Sequence, residues 1–349
     1  MNDFDWIFTH DLPLIDVRAP VEFEAGHFPG SRNLPILDDG ERKLVGTCYR
    51  EKGADSAIQL GHQLVHGETK EKRIRAWRSF FDSNPSARLY CFRGGLRSGI
   101  AVQWLKDSGC EIPRIEGGYK ALRNHLLLRL SEVSQRTTFF LIGGKTGSGK
   151  TAFLTQSPIP AIDLEALACH RGSSFGAMGP QPSQATFENA LAVELLKKST
   201  GSPILLEDES VMIGSLLVPE VLFLRMKQAP VFLLEVGLEE RILNLAREYV
   251  ETRLVTRGEP KEQVRDFFVE NLRRIRKKLG GMKHSSIESM IHTAFGSGEV
   301  DRPETHSPWI RELLLHYYDP LYERGLERSK DRILHRGDGN ELASKLLMP

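Results

Sequence analysis

Cysteine is scarce in this chain: four residues in 349 (Cys48, Cys91, Cys110 and Cys169), none of them in a Cys-x-x-Cys pair. That spacing excludes a disulfide framework and a cysteine-based structural zinc site, and it fits a reducing compartment. Long apolar runs are missing as well. The most apolar stretch, Ile213 to Met226, is interrupted by Pro219 and Glu220 and is too short to span a bilayer. The opening residues MNDFDWIFTHDLP carry acids and no apolar core, unlike a signal peptide. A cytoplasmic location away from membranes is expected. Excess charge is also absent, with 47 basic and 46 acidic residues and a net charge of +1. Any nucleic-acid binding must therefore rest on a local basic face. There are no internal repeats and no low-complexity tracts.

What is present is a globular composition, 40% hydrophobic and 27% charged, in a chain long enough for two domains with separate cores. Short apolar runs at 11–17, 31–35, 87–90 and 114–118 predict strands, and 98–108 and 119–133 carry helical periodicity. The region from about Asp38 to Phe81 favours helix. Polar residues 134–137 mark a boundary between domains 1–133 and 134–349. Beyond it, strands are predicted at 138–142, 160–163, 203–206 and 230–236, with helical segments between them, and mostly charged helix from Glu239 onward. Strands alternating with helices imply parallel sheets covered on both faces, an α/β class for both domains.

The run Gly144-Lys145-Thr146-Gly147-Ser148-Gly149-Lys150-Thr151 satisfies G-x-x-x-x-G-K-[ST] between a predicted strand and a helix. Such a loop turns backbone N–H groups inward to bind phosphate oxygens. Lys150 is placed to reach a terminal phosphate, and Thr151 is a candidate magnesium ligand. Asp163 and Glu165, and Glu207 and Glu209, sit at predicted strand ends. A carboxylate there serves a metal or an attacking water, or is a solvated turn. Arg171 and Ser173, in the loop HRGSSFG, are further phosphate-binding candidates, because loops at the carboxyl ends of parallel strands line the ligand crevice.

The first glycine-bearing loop, Cys91-Phe92-Arg93-Gly94-Gly95-Leu96-Arg97-Ser98, places a thiol ahead of two arginines and a helix start. Loop amides, Arg93 and Arg97 all favour thiolate over thiol, so Cys91, Arg93 and Arg97 are the candidate catalytic residues. Two chemistries share this arrangement: a phosphatase attacking a phosphate ester, and a chalcogen transferase. The five-residue spacing between Cys91 and Arg97 is that of the longer, phosphatase-type loop, and spacing alone leaves both open.

Asp16-Val17-Arg18, Glu22-Phe23 and Gly26-His27-Phe28-Pro29-Gly30-Ser31 resemble the opening of a rhodanese domain. Together with CFRGGLRS, GGKTGSGKT, HRGSSFG, Glu207-Asp208-Glu209-Ser210 and Tyr318-Asp319-Pro320-Leu321-Tyr322, they make the whole chain similar to the bacterial tRNA 2-selenouridine synthase family. The resemblance implies a rhodanese-like domain at 1–133 and a P-loop NTPase-like domain with a helical, basic C-terminal part at 134–349. It implies a transferase acting on tRNA that carries wobble 2-thiouridine. Geranyl diphosphate would alkylate the sulfur, and selenophosphate would then supply selenium, carried by Cys91 as a selenenyl sulfide. No tightly bound cofactor is implied, magnesium aside, and no resident metal. The enzyme that makes selenophosphate is a candidate partner. The competing readings are a cysteine phosphatase fused to a nucleotide-binding, kinase-like domain, and a nucleotide-gated RNA-binding module. Given the resemblance, the densest basic cluster, Arg273, Arg274, Arg276, Lys277 and Lys278, is the expected tRNA contact, ahead of Arg241 to Arg247 and of Arg73, Arg75 and Arg78.

Overall fold

The structure is a computed structural model that describes residues 3–171, 175–176, 179–327 and 329–347. The chain forms two compact units: Met1–Val133 with Pro182–Lys197, and Ser134–Gln181 with Lys198–Pro349.

The first unit is built on three parallel strands, β1 (Leu14–Asp16), β2 (Ser31–Asn33) and β3 (Arg88–Tyr90), in the order β2-β1-β3. Ile15 and Leu89 from this sheet, with Val17 just beyond β1, pack with Trp77, Ala101 and Leu105 from the helices Gly67–Ser83 and Leu96–Asp107. The expected strand at 114–118 is reduced to a single bridge between Leu89 and Arg114. Gly117 and Gly118, at φ +73° and +56°, turn the chain there into the helix Gly118–Arg136. The helix after the cysteine loop starts at Leu96, two residues earlier than its periodicity suggests. A short N-terminal helix, Asp3–Thr9, was not foreseen.

Residues 182–197 join the first unit although the sequence pattern leaves them inside the second domain. Polar contacts account for this placement. Asn189 Nδ2 donates to the His27 carbonyl (2.9 Å), Arg123 Nη1 donates to Asn189 Oδ1 (2.9 Å), and Arg123 also pairs with Glu188.

A buried ion pair pins the sheet end of the first unit. Asp16 accepts the Arg18 backbone N–H at 2.9 Å and the Arg18 guanidinium at 2.6 Å, with the two side chains 0% and 2% exposed. Arg18 also donates to the Gly26 carbonyl (2.7 Å) and lies 3.9 Å from the centre of the Tyr119 ring.

The second unit contains β4 (Phe139–Gly144), β5 (Ala161–Ile162), β6 (Ile204–Glu207), a hairpin of β7 (Met212–Ile213) and β8 (Leu216–Leu217), then β9 (Val231–Leu234) and β10 (Ile333–Gly337). The five-stranded sheet is parallel throughout, in the order β10-β9-β4-β6-β5. The runs FFLIGG, ILLE and VFLL are buried along their length, as central parallel strands must be. β4 stands where the strand order reverses, so its loop opens at the topological switch point. Strand β10 was missed within the charged C-terminal stretch. It is a half-buried edge strand containing His335 and Arg336, and it lacks the apolar run of its neighbours. The rest of that region is helical and packs Phe268, Leu272, Ile291 and Trp309 into a core of its own. Among the described residues, no helix is long and apolar enough to cross a membrane.

Asp16→Ala leaves the Arg18 guanidinium buried without its carboxylate. It is expected to cost about 3–5 kcal/mol, read as a lower urea midpoint for the first unit. An unchanged midpoint would remove the pair from the account of this fold.

Candidate functional sites: a cysteine loop and a phosphate cradle

Strand β3 delivers Cys91 to the floor of its loop, where the residue is 3% exposed and its Sγ donates to Ser98 Oγ at 3.2 Å. The loop holds its shape because its carbonyls are bonded from outside. Tyr119 N donates to Cys91 O (2.9 Å), Lys120 N to Phe92 O (3.0 Å) and Gly99 N to Gly95 O (2.9 Å). The turn at Gly118 lies directly against this loop, and a Cβ there would stand 2.1 Å from the Cys91 carbonyl oxygen.

Arg97 sits near enough to Cys91 for their charges to interact, but its guanidinium is held by Glu22, Nη1–Oε2 at 2.5 Å and Nη2–Oε1 at 3.0 Å. Burial alone would raise the Glu22 carboxyl, yet the Arg97 hydrogen bonds and charge carry it below its ordinary value. Glu22 also meets Arg42 at 3.1 Å. Glu22 is thus a positioning residue that sequence reasoning saw only as a motif letter. Arg93 is exposed and lies over the Phe92 ring, 5.8 Å from its centre. The structure therefore brings Cys91, Ser98 and Arg97 together and leaves Arg93 at the surface.

In the second unit, the loop from Gly144 to Thr151 borders a cavity of about 730 Å³. Its wall also includes Glu165, Arg171, Glu209, Arg247, Tyr249 and Tyr322. Here too the carbonyls are taken from outside: Arg241 Nε donates to Thr146 O (2.9 Å) and Asn244 Nδ2 to Gly147 O (3.0 Å). Lys150 Nζ folds back on Gly144 O at 3.1 Å, and Lys145 Nζ turns to Glu323 at 2.8 Å. Gly147 has φ +81°, and a Cβ would meet the Arg241 carbonyl at 2.6 Å.

Arg241 is 3% exposed and bound to Asp319 through both terminal nitrogens, at 3.0 and 2.5 Å. It braces the phosphate loop and presents no surface to a nucleic acid. Its signal was an arginine on the same helical stripe as Ile242 and Leu245. Such a cation must be buried with a partner, and Asp319 of the Tyr318–Tyr322 stretch supplies one.

Arg171 approaches the cradle, with Nη1 3.4 Å from Thr151 Oγ1, and pairs with Glu248. Glu248 belongs to a π-helical segment, Ala246–Thr256, a geometry that recurs at functional sites. Ser173 lies outside the described residues.

The acidic candidates separate into different roles. Asp163 Oδ1 accepts the Ala166 N–H at 2.6 Å and caps a short helix. Glu207 is fully buried, accepts the Glu165 N–H at 3.1 Å through Oε2, and leaves Oε1 without a hydrogen bond. Burial, then the charges of Glu165, Asp163 and Glu209, push its carboxyl well above the ordinary value. Glu209 lines the cavity. Burial and Glu165 push it up to about 7 against the pull of Lys150. The shared cause is that several carboxylates crowded into one buried place resist carrying all their charges at once.

The basic helix Lys261–Leu279 buries Asn271, Leu272, Ile275 and Leu279 and exposes Arg273, Arg274, Arg276, Lys277 and Lys278. Arg274 is paired with Glu270 at 2.9 Å, and Arg273 lies 3.7 Å from Glu288. In the smaller cluster Arg75 is exposed, while Arg73 and Arg78 bond within the fold. Arg73 binds the Ile36 carbonyl and Glu41, and Arg78 Nη1 donates to Ser108 O at 2.9 Å.

Without divalent metal, Glu209 gains charge as pH rises through about 7, opposite the anion it would face in the cradle. Wild-type affinity for inorganic diphosphate should match that of Glu209→Gln at pH 5.5 and fall about tenfold below it at pH 8. Calorimetric titration at the two pH values checks this, and a ratio independent of pH would refute it.

Known proteins match the chain along nearly its full length. Residues 5–125 fit the family model for a rhodanese-like domain, and residues 137–348 fit that for the tRNA 2-selenouridine synthase AAA domain. A Marinobacter nauticus protein named tRNA 2-selenouridine synthase is 46% identical, covering 96% of this chain and 94% of its own. One of the same name from Shewanella halifaxensis is 44% identical, covering 97% and 95%. Similarity of this extent, over both units and through both loops, shows that the chain belongs to the tRNA 2-selenouridine synthase family.

Proposed function

We propose that the protein is a transferase that converts wobble 2-thiouridine in tRNA to 2-selenouridine, by S-geranylation and then exchange of sulfur for selenium. The observation that carries this reading is the pairing, on one chain, of a braced phosphate cradle with a thiol at the floor of a glycine-bearing loop. The relatives named tRNA 2-selenouridine synthase support the substrate class.

In the first step the cradle receives the diphosphate of geranyl diphosphate. The thiocarbonyl sulfur attacks the allylic carbon, the C–O bond breaks, diphosphate leaves with the electron pair, and the base releases its N3 proton. Inward amides, Lys150 and Arg171 stabilise the charge that develops on the leaving oxygens. Lys150 has to exchange the Gly144 carbonyl for phosphate. The Thr151 hydroxyl lies 3.4 Å from Arg171 Nη1. Magnesium enters, in this reading, only as a counter-ion of the diphosphate.

In the second step the Cys91 thiolate adds to C2 and geranyl thiolate leaves, taking up a proton. Selenophosphate selenium then displaces Cys91, and hydrolysis of the Se–P bond yields phosphate and 2-selenouridine. Selenium has the same oxidation state in selenophosphate and in the product, so this route balances without an oxidant. A selenenyl sulfide on Cys91 would require a two-electron oxidation. Ser98 receives the Cys91 S–H, and Arg97, locked by Glu22, supplies positive charge near the sulfur.

Mass spectrometry of wobble nucleosides, after thiolated tRNA is mixed with geranyl diphosphate and selenophosphate, tests both steps. Cys91→Ser should stop at the geranylated nucleoside, with selenouridine reduced at least 100-fold and tRNA affinity retained. Lys150→Ala should slow geranylation by about 10²-fold or more. Selenouridine from Cys91→Ser, or normal geranylation by Lys150→Ala, would overturn the respective assignment.

The exposed face of Lys261–Leu279 is the proposed contact to the tRNA phosphate backbone. Replacing its five cations by glutamine should weaken tRNA binding and flatten the slope of log affinity against log salt by about 3–4. An unchanged slope would remove this helix from the interface.

A further inference from the structure

The first unit contains a second cavity that the chemistry above does not use. It has a volume of about 140 Å³ and lies between the helix Asp39–Leu64 and the start of the helix Leu96–Asp107. Its walls are the side chains of Ile36, Val45, Ile58, Val65, Ile100 and Trp104. Among the lining residues, Tyr49, His62, Arg97 and Trp104 carry polar atoms, and Arg97 is already paired with Glu22. Tyr49 and Leu96 line the same cavity while remaining 60% and 57% exposed, so its mouth is apolar and open to solvent. Gly53, at φ +83° and ψ −177°, breaks the long helix beside the lining residue Ala54.

The cavity shares two residues with the cysteine loop. Leu96 and Arg97 are members of that loop, and the next residue, Ser98, holds the Cys91 thiol. A ligand in this space meets mostly hydrocarbon, so a polar or ionised group would lose most of its hydration with little replacement. An apolar cavity of about 150 Å³ is known to take benzene, so this one has room for about six to eight carbons, with any remainder lying along the rim.

We infer that this cavity binds a neutral hydrocarbon chain carried by the substrate that meets Cys91. If the reading of Cys91 as the transfer residue holds, the occupant is the alkyl group on the sulfur to be replaced. The cavity would then hold the leaving group while the thiolate attacks. It would also select alkylated over free thiouridine, because only the former has a chain to bury.

The test uses the full chain and two probes, geraniol and inorganic diphosphate, each titrated calorimetrically. Geraniol should bind, and diphosphate should not displace it. Ala54 is exposed at the cavity wall, and Ala54→Trp should fill the space without disturbing the core. It should lower geraniol affinity at least tenfold and leave diphosphate affinity unchanged. Tyr49→Ala, which removes one exposed wall, should lower geraniol affinity about threefold to tenfold. Absence of geraniol binding, equal binding by both variants, or displacement by diphosphate would each overturn the inference; the last would move the chain to the phosphate cradle. If geraniol binds as expected but no selenouridine forms from geranylated tRNA, the proposed reaction fails and the cavity assignment stands.

Discussion

A loop can offer its backbone amides to an anion only if its carbonyls are satisfied elsewhere. That constraint governs both functional loops of this protein. In the phosphate cradle, Arg241 and Asn244 take the carbonyls of Thr146 and Gly147. In the cysteine loop, the backbone N–H groups of Tyr119 and Lys120 take those of Cys91 and Phe92. The two solutions differ in kind. The cradle is braced by side chains, and the Arg241 guanidinium is in turn anchored by Asp319, 78 residues further along the chain. The cysteine loop is braced by main chain, which requires the adjacent turn to approach so closely that only glycine fits at position 118.

Charge is handled with the same economy. In the cysteine loop the cation is fixed rather than left free: Arg97 is clamped by Glu22, and Glu22 is shared with Arg42. Deeper in the sheet, Asp16 and Arg18 neutralise each other and orient the turn that follows β1. Around the phosphate cradle the opposite problem arises. Glu165, Glu207 and Glu209 stand together beside the Gly144–Thr151 loop, and burial and mutual repulsion raise the Glu207 and Glu209 carboxyls above their ordinary values. The cavity between Asp39–Leu64 and the start of Leu96–Asp107 is lined mostly by apolar side chains and by no carboxylate, so the unit that holds Cys91 also contains an apolar chamber.

The motifs were legible because each is a contiguous run whose chemistry is local. A Gly-Lys-Thr turn after an apolar strand, or a cysteine ahead of Gly-Gly and Arg-Ser, carries its meaning in its spacing. The parallel strands were legible for a related reason: buried runs such as FFLIGG and VFLL have no polar alternation. Edge strand β10, with His335 and Arg336, has no such run, and the brief bridge at Arg114 ends where two glycines reverse the backbone.

Sequence alone determined the two-part α/β architecture, the position of both glycine-bearing loops and the amphipathic basic helix, since each follows from periodicity or spacing within one segment. Only the tertiary structure decided which partner each charged residue meets. It assigned Arg241 to the phosphate loop, Glu22 to Arg97, Asp163 to a helix cap, and residues 182–197 to the first unit. It also created the apolar chamber beside Cys91, whose walls come from residues 36 to 104. Pairings and cavities of this kind join residues far apart in the chain, and a one-dimensional pattern does not record which of many equivalent charges or apolar side chains will meet.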